Sequence, residues 1–493
     1  MNNKEEEKDA LKATGTVGGA QVINILISLL RTKVIALILG TFGVGVVGIL
    51  TTATDMIRNF ASLGLPFSGV RDISIANAKK DDLEISRIVK VFNKWIFISA
   101  LVGSIITVIF CLPLSRFLFN NDIYTVGIGF LSVSVFFSTL AAGYQSVMQG
   151  KRAVLLMSKA TIVANFFGSL VSVLFYLVLK DKGIVPSLIL MALVNFLVIY
   201  FFYKKLRIPK YKKISVIESW STAKVMIRIG FFTIIVSIVE QFVSLGLRAF
   251  LSNKSGIDGV GLFTAANTIA TMYLSIVLNS MASDYYPKLS SIHDDNHKLG
   301  ATVNNQLYIV LLLASPIIIG MVGFAEVAIK ILYSSKFLGA VSVLKWQIIG
   351  DFFKIIAWPF GFVFLAKGLG KLFVFSNVSY TIIYIASVYL SWDKFGFLSI
   401  GLSFFIAQFF LMVFICLYSN FRFGINISSK NIKVVIVMFF LLAVSFCSHE
   451  YFTGPLRLMI SVIALIFSII YSIYNLSLIM DVKMLISRII RRK

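Results

Sequence analysis

The chain has 493 residues, 58% of them hydrophobic and 14% charged. A soluble globular protein is excluded, because its charged share is nearer a quarter, and so is a disordered chain, which needs high charge and few apolar residues. The 46 Lys and Arg against 22 Asp and Glu give a net charge of +24. In so apolar a chain that excess belongs in cytoplasmic loops of a membrane protein, not on a nucleic-acid-binding surface.

The start, MNNKEEEKDALK, is polar and acidic and carries no basic segment leading into a short apolar core, so no cleaved signal peptide is expected. A spanning helix needs roughly 20 mostly apolar residues. Fourteen stretches qualify, at 15–39, 43–66, 91–113, 124–149, 155–179, 184–203, 226–250, 259–283, 304–329, 339–366, 372–391, 396–419, 433–448 and 457–480. The first two are separated only by a Gly-rich turn from Gly40 to Gly45, and the thirteenth is short. The expected fold class is an all-α polytopic membrane protein. Even spans put both termini on one side. The loops and tails of that side, with the first turn of each adjoining helix, hold 32 Lys and Arg, and the opposite loops hold 8. The basic side is cytoplasmic by the positive-inside rule. The opposite loops are too short for a soluble catalytic domain.

The longest inner loop, 204–225, contains KKLRIPKYKKISVIESW and reads as a cytoplasmic linker held near anionic lipid. It divides the chain into an N-terminal six-helix bundle (1–203), a second bundle (226–420) and an addition of two helices with a basic tail (421–493). Two matches support a repeat. VGILTTAT (47–54) resembles VGLFTAAN (260–267) at an offset of 213, and FFSTLAAGYQSVMQGK (136–151) resembles FFKIIAWPFGFVFLAK (352–367) at an offset of 216. Six helices is an even number, so the two pseudo-symmetric bundles are expected to share one orientation, as in parallel-repeat transporters, and to work by alternating access.

Ionisable groups inside spans cost about 2.5–3.5 kcal/mol at the helix centre and usually face a cavity. Here they are Arg31, Lys33, Asp55, Arg58, Glu240, Arg248, Lys345, Asp351 and Lys354, with Glu326 near an outer end. Arg31 and Lys33 are two residues apart, so at most one faces a cavity squarely. Asp55 and Arg58, and likewise Asp351 and Lys354, are three apart and either pair locally or face the cavity. Lys345 and Arg248 near outer ends can snorkel to the headgroups. Basic groups outnumber acidic ones, which suits an anionic substrate, and Arg forks onto phosphate oxygens.

Other motifs carry little. Cys111, Cys416 and Cys447 match no metal or disulfide spacing. His293 and His297 sit in a hydrophilic loop, and no nucleotide-binding GxxxxGK[ST] or Ser/His/Asp pattern is present. No cofactor and no metal site is expected.

The stretch YSSKFLGAVSVLKWQIIGDFFKIIAWPFGFVFLAKGLGKL (333–372) resembles the Wzx-type flippases of O-antigen and enterobacterial common antigen, members of the MOP exporter superfamily that also holds the MATE transporters. KVIALILGTFGVG (33–45), LRAFL (247–251) and YPKLS (286–290) resemble the same family, and the likeness covers roughly residues 12–420. It implies a V-shaped pair of six-helix bundles that carries an undecaprenyl-pyrophosphate-linked oligosaccharide from the cytoplasmic to the periplasmic leaflet of the bacterial inner membrane. By position, Lys33, Arg248, Asp351, Lys354 and Lys367 match polar positions of that family. Thr52 stands where a basic residue is expected, and Arg58 with Asp55 can take its place. The expected cavity cations are therefore Lys33, Arg58, Arg248, Lys354 and Lys367. Asp55, Glu240 and Asp351 are the candidates for ion coupling. A polysaccharide polymerase and a chain-length regulator are expected partners. Alternatives are a lipid II flippase or multidrug exporter of the same superfamily and, from another class, an integral-membrane glycan polymerase or ligase.

Overall fold

The computed structural model describes residues 3–209, 211, 214–452 and 454–478. The basic tail at 481–493, and the end of the span expected at 457–480, lie outside the described residues. The described chain is helical, in the order α1 (Asn3–Ser62), α2 (Leu65–Ala78), α3 (Asp82–Ile109), α4 (Cys111–Phe119), α5 (Thr125–Gly150), α6 (Val154–Leu179), α7 (Ile184–Lys204), α8 (Val216–Ser291), α9 (Asn296–Gly323), α10 (Ala325–Leu332), α11 (Val341–Ala366), α12 (Gly370–Phe395), α13 (Leu398–Phe423), α14 (Ser429–Tyr451) and α15 (Gly454–Ser477). Ten segments are long and apolar enough to cross a membrane; two of them, Gly19–Ser62 and Val154–Lys204, run to 44 and 51 residues.

Several boundaries differ from those expected. The Gly40–Gly45 turn is a single-residue break at Gly40 inside α1 (φ 63°, ψ −161°). The whole gap between the seventh and eighth expected spans is likewise one break, at Gly256 inside α8 (φ 69°, ψ 178°). Only glycine reaches such angles without a Cβ clash, so one residue breaks the helix where a loop seemed necessary. The spans expected at 91–113 and 304–329 each end early. Phe110 and Phe324 interrupt them, and the short helices α4 and α10 follow. The loop expected from 67 onwards contains α2, which begins after Gly64 in the left-handed region with a proline in its first turn. The non-helical part of the expected linker ends before Val216, where α8 begins.

The backbone repeats itself. Asp81 caps α3 by accepting from Glu84 N at 2.9 Å. Asp295 caps α9 by accepting from His297 N and Lys298 N, both at 3.0 Å. The two caps are 214 positions apart, and each opens a helix of 28 residues. The breaks at Gly40 and Gly256 are 216 apart, and so are the ends of α6 at Lys180 (φ 49°, ψ −129°) and of α12 at Gly396 (φ 53°, ψ −131°). Offsets of 214–216 agree with the sequence matches and extend them to Lys180 and Gly396, where the residues differ and the backbone does not.

The chain forms two compact units, Met1–Thr264 with Leu332–Lys336, and Ala265–Ile331 with Phe337–Lys493. The first has an apolar core on α2, α3 and α5, with Leu65, Ile73, Phe92, Ile96 and Val147 buried and Met226 of α8 joining them. In the second, α11 is the inner helix. Of its most apolar stretch 78% is buried within the protein, against 22% for α12 and for α15. The outer helices turn apolar side chains outwards, as Ile382, Leu390, Ile470 and Ile473 do, which is stable only in hydrocarbon. α14 and α15 pack on α9, where Gly323 lies against Ser445 and Ser461 and Ser448 bonds Ser461 at 3.0 Å.

Candidate functional site

The charged groups of the first unit are held in different ways. Asp55 and Arg58 form an ion pair at 3.1 Å across one turn of α1. Lys33 is half-buried on α1, and Glu240 is exposed on α8. Arg248 on α8 is 6% exposed. Its Nη1 donates to the Ser244 carbonyl at 3.2 Å and to the Ser244 hydroxyl, and its guanidinium lies 5.3 Å from the centre of the Phe263 ring. Ser244 is one turn back, so the guanidinium is folded along its own helix and does not snorkel outwards. Phe263, beyond the break at Gly256, supplies a cation–π face.

In the second unit Asp351 is 2% exposed on α11 and accepts a hydrogen bond from the Tyr273 hydroxyl of α8 at 2.7 Å. Lys354, half-buried one turn further on, makes no ion pair within 4 Å among the described residues. The pairing allowed by the i,i+3 spacing is thus replaced by a contact from another helix. On the same face Trp358 stacks on Tyr285 at 5.6 Å, and the Tyr285 hydroxyl donates to the Pro359 carbonyl at 2.9 Å. That carbonyl belongs to the proline inside the helix. Lys367 caps the end of α11. Its Nζ donates to the His293 carbonyl at 2.7 Å and lies 5.0 Å from the Phe423 ring, so it ties the α8–α9 turn to the end of α13. His293 lies in that turn and His297 in the first turn of α9, and among the described residues no cluster of His, Cys, Asp and Glu could hold a metal.

Lys345, expected to snorkel, is instead buried and paired with Glu450 of α14, with His449 Nδ1 at 3.4 Å. A second ionic group joins α10 to α15. Glu326 accepts from Lys330 at 2.7 Å and from Arg457 at 2.8 Å. The Lys330 ammonium, with Arg457 beside it, holds the Glu326 carboxyl below the usual carboxylate range. Tyr273, Ser244, Phe263 and Glu450 carry no sequence signal, because each matters only through a neighbour on another turn or helix.

Stacked apolar helices with charged groups buried inside their spans define a multi-pass, all-helical membrane protein. Residues 34–342 match the family described as "Polysaccharide biosynthesis protein", and the chain belongs to that family. It is 22% identical over 376 residues to the lipid III flippase of Escherichia coli (strain K12), covering 75% of this chain and 88% of that one. Its fold is similar to the lipid II flippase MurJ in an inward closed conformation, with a TM-score of 0.68 and 15% identity over 95% of this chain and 100% of that one. It is also similar to an inward-facing MATE family multidrug resistance transporter of the MOP superfamily, with the same score and identity over 81% and 94%.

Proposed function

We propose that the chain is a flippase that carries a polyprenyl-pyrophosphate-linked oligosaccharide, of the O-antigen or a related surface polysaccharide, from the cytoplasmic to the periplasmic leaflet of the bacterial inner membrane. The family match over residues 34–342, together with the likeness to a lipid III flippase, carries the reading. Fourteen crossings, two six-helix bundles at 1–203 and 226–420, and cytoplasmic termini complete it. The Lys and Arg distribution supports that orientation.

In this reading alternating access moves the glycan and pyrophosphate while the polyprenyl tail stays in lipid. Arg248, Lys354 and Lys33 attract the pyrophosphate. Arg58 is already balanced by Asp55, and Lys367 by its tether, so these two contribute less. Asp351, buried against Tyr273, is the coupling acid the geometry favours over Glu240 and Asp55, because only a desolvated carboxyl changes charge at a large energetic consequence. A polymerase and a chain-length regulator act on the delivered product.

The test is flipping in proteoliposomes of a tagged polyprenyl-pyrophosphate oligosaccharide, read by an impermeant glycosidase. The protein should raise the rate well above protein-free vesicles, and Arg248→Ala and Lys354→Ala should each lower it at least tenfold. A rate equal to protein-free vesicles sinks the flippase reading. Full activity in the double variant sinks the cationic part alone. Lipid II as the better substrate would move the chain to the related flippase class.

A further inference from the structure

A cavity of about 520 Å³ opens in the first unit between α2, the start of α3 and the start of α8. That size suits a small organic ligand, and none of the cations or acids assigned above to transport lines it. On α2 and its C-cap, Asp72, Ile75, Ala76 and Lys79 follow at i, i+3, i+4 and i+7, so one helix face forms a wall. The N-cap of α3, Asp81, adds to the lining with Glu84 and Arg87. From α8 come Thr222 and Val225.

These charges are not equally engaged. Arg87 pairs with Glu84 at 3.1 Å and with Glu218 of α8 at 3.0 Å. Asp81 accepts from Glu84 N at 2.9 Å. Asp72 and Lys79 make no ion pair within 4 Å among the described residues. Asp72 is half-buried, and burial pushes its carboxyl above the usual aspartate range, with Arg71 as the opposing influence. The cavity thus keeps one acid and one base available, two turns and about 10 Å apart along the helix, with Ile75 and Ala76 between them. A ligand that answers both must carry both signs. A pyrophosphate does not, and it would also face the carboxylates of Asp72, Asp81 and Glu84. A metal ion does not account for the site either, since no group of His, Cys, Asp and Glu among the described residues could hold one.

The position of the cavity indicates where such a ligand comes from. The first turns of α3, a helix long and apolar enough to span, line it, whereas α2 with 14 residues is too short to cross. The cavity therefore lies at a membrane–water boundary. Two of its lining residues, Ile75 and Val225, are exposed, as are Ile217 and Trp220 on the turns of α8 before Thr222. Such side chains, Trp above all, suit the level of lipid headgroups.

We propose that this cavity binds the headgroup of a zwitterionic phospholipid of the phosphoethanolamine class, with its ammonium on Asp72, its phosphate on Lys79 and its acyl chains leaving over Ile75 and Val225. A primary ammonium offers three N–H donors to a carboxylate; a trimethylated one offers none. The site is separate from the transported substrate, so its test does not involve glycan.

The experiment is thermal unfolding of the purified, delipidated full chain in detergent, titrated with phosphatidylethanolamine, phosphatidylcholine or phosphatidylglycerol of identical acyl chains. Phosphatidylethanolamine should raise the midpoint saturably, with an apparent affinity at least threefold above the other two. Free phosphoethanolamine should be inert at the same concentrations. Asp72→Asn and Lys79→Gln should each reduce the preference for phosphatidylethanolamine at least threefold, while Lys80→Gln, exposed beside the cavity and not lining it, should retain it. Lys79 is exposed, so its variant keeps the test open should Asp72→Asn fail to fold. Identical curves for the three lipids overturn the proposal, and so does a preference that survives the substitutions. Phosphatidylglycerol as the best ligand overturns the zwitterion, and free phosphoethanolamine as effective as the lipid overturns the membrane source.

Discussion

Gly45 and Gly261 meet backbone to backbone, and they do so reciprocally. A Cβ on Gly45 would stand 3.0 Å from Gly261 N and run into the Ile257 carbonyl; one on Gly261 would stand 3.2 Å from Gly45 N and run into the Thr41 carbonyl. The two glycines are 216 positions apart, the same offset that separates the breaks at Gly40 and Gly256. Thr41 Oγ1 donates to Asp258 beside them. The contact thus joins two positions separated by the same offset as the two helix breaks. Because the obstacles are carbonyls, a methyl group cannot be accommodated by rotamer change. Gly45→Ala and Gly261→Ala should each destabilise by about 1–3 kcal/mol, measured by unfolding in detergent. The double variant should cost less than the sum, since one separation relieves both clashes. Gly246→Ala, with no neighbour within 4 Å, is the control, and equal stability of Gly261→Ala and that control would refute the close-contact account.

The end of α6 makes a different prediction. Lys180 holds the same backbone angles that Gly396 holds at the end of α12. A Lys in that region is strained, and relieving it by Lys180→Gly should raise stability by about 1 kcal/mol. Gly396→Lys should lower it. Both changes are at a helix C-terminus, so a shift of the unfolding midpoint in the wrong direction in either variant would count against the strain.

Tyr273→Phe removes the hydroxyl from a buried carboxylate. It should cost about 1–3 kcal/mol, because Asp351 is left without that donor. Asp351→Asn keeps an acceptor for the same hydroxyl and should cost less. If Asp351 couples transport to protons, the asparagine variant should also flatten the pH dependence of flipping in proteoliposomes, whereas a purely structural role would leave the pH profile unchanged in shape.

Asp295 caps α9 from the α8–α9 turn. The Lys298 backbone N–H, and then its ammonium, hold this carboxyl below the usual aspartate range. A carboxyl with a lowered folded pKa contributes stability that is present above its unfolded value and is lost as pH falls through the folded one. The α9 cap should therefore loosen below about pH 4. Wild-type midpoints should fall there more steeply than those of Asp295→Asn, whose amide cap does not titrate. Parallel curves would show that the cap contributes nothing to acid sensitivity.

In the second unit, Glu450→Gln removes the partner of a buried ammonium. Breaking one member of such a pair leaves an uncompensated charge, so this variant should unfold earlier than Lys345→Met, which removes the charge itself. The reverse order would mean that Lys345 reaches the headgroups after all.

The sequence alone carried the membrane class, because the length of an apolar run has a direct relation to bilayer thickness. It carried the repeat, and it located Arg248 and Asp351 as charges inside spans, because ionisable groups stand out against hydrocarbon. It could not tell Gly40 or Gly256 from an ordinary turn glycine, since φ is not written in the residue name. Helical periodicity says which residues share a face, and it correctly allowed Asp55 to meet Arg58. It does not say which helix covers that face. Only the tertiary structure decided that Asp351 takes Tyr273 from α8 and not Lys354 from its own turn. Tertiary structure alone also gave Lys345 to Glu450, 105 residues away. The apolar pattern fixed each helix in the membrane; the partners of its charges came from packing between helices distant in the chain.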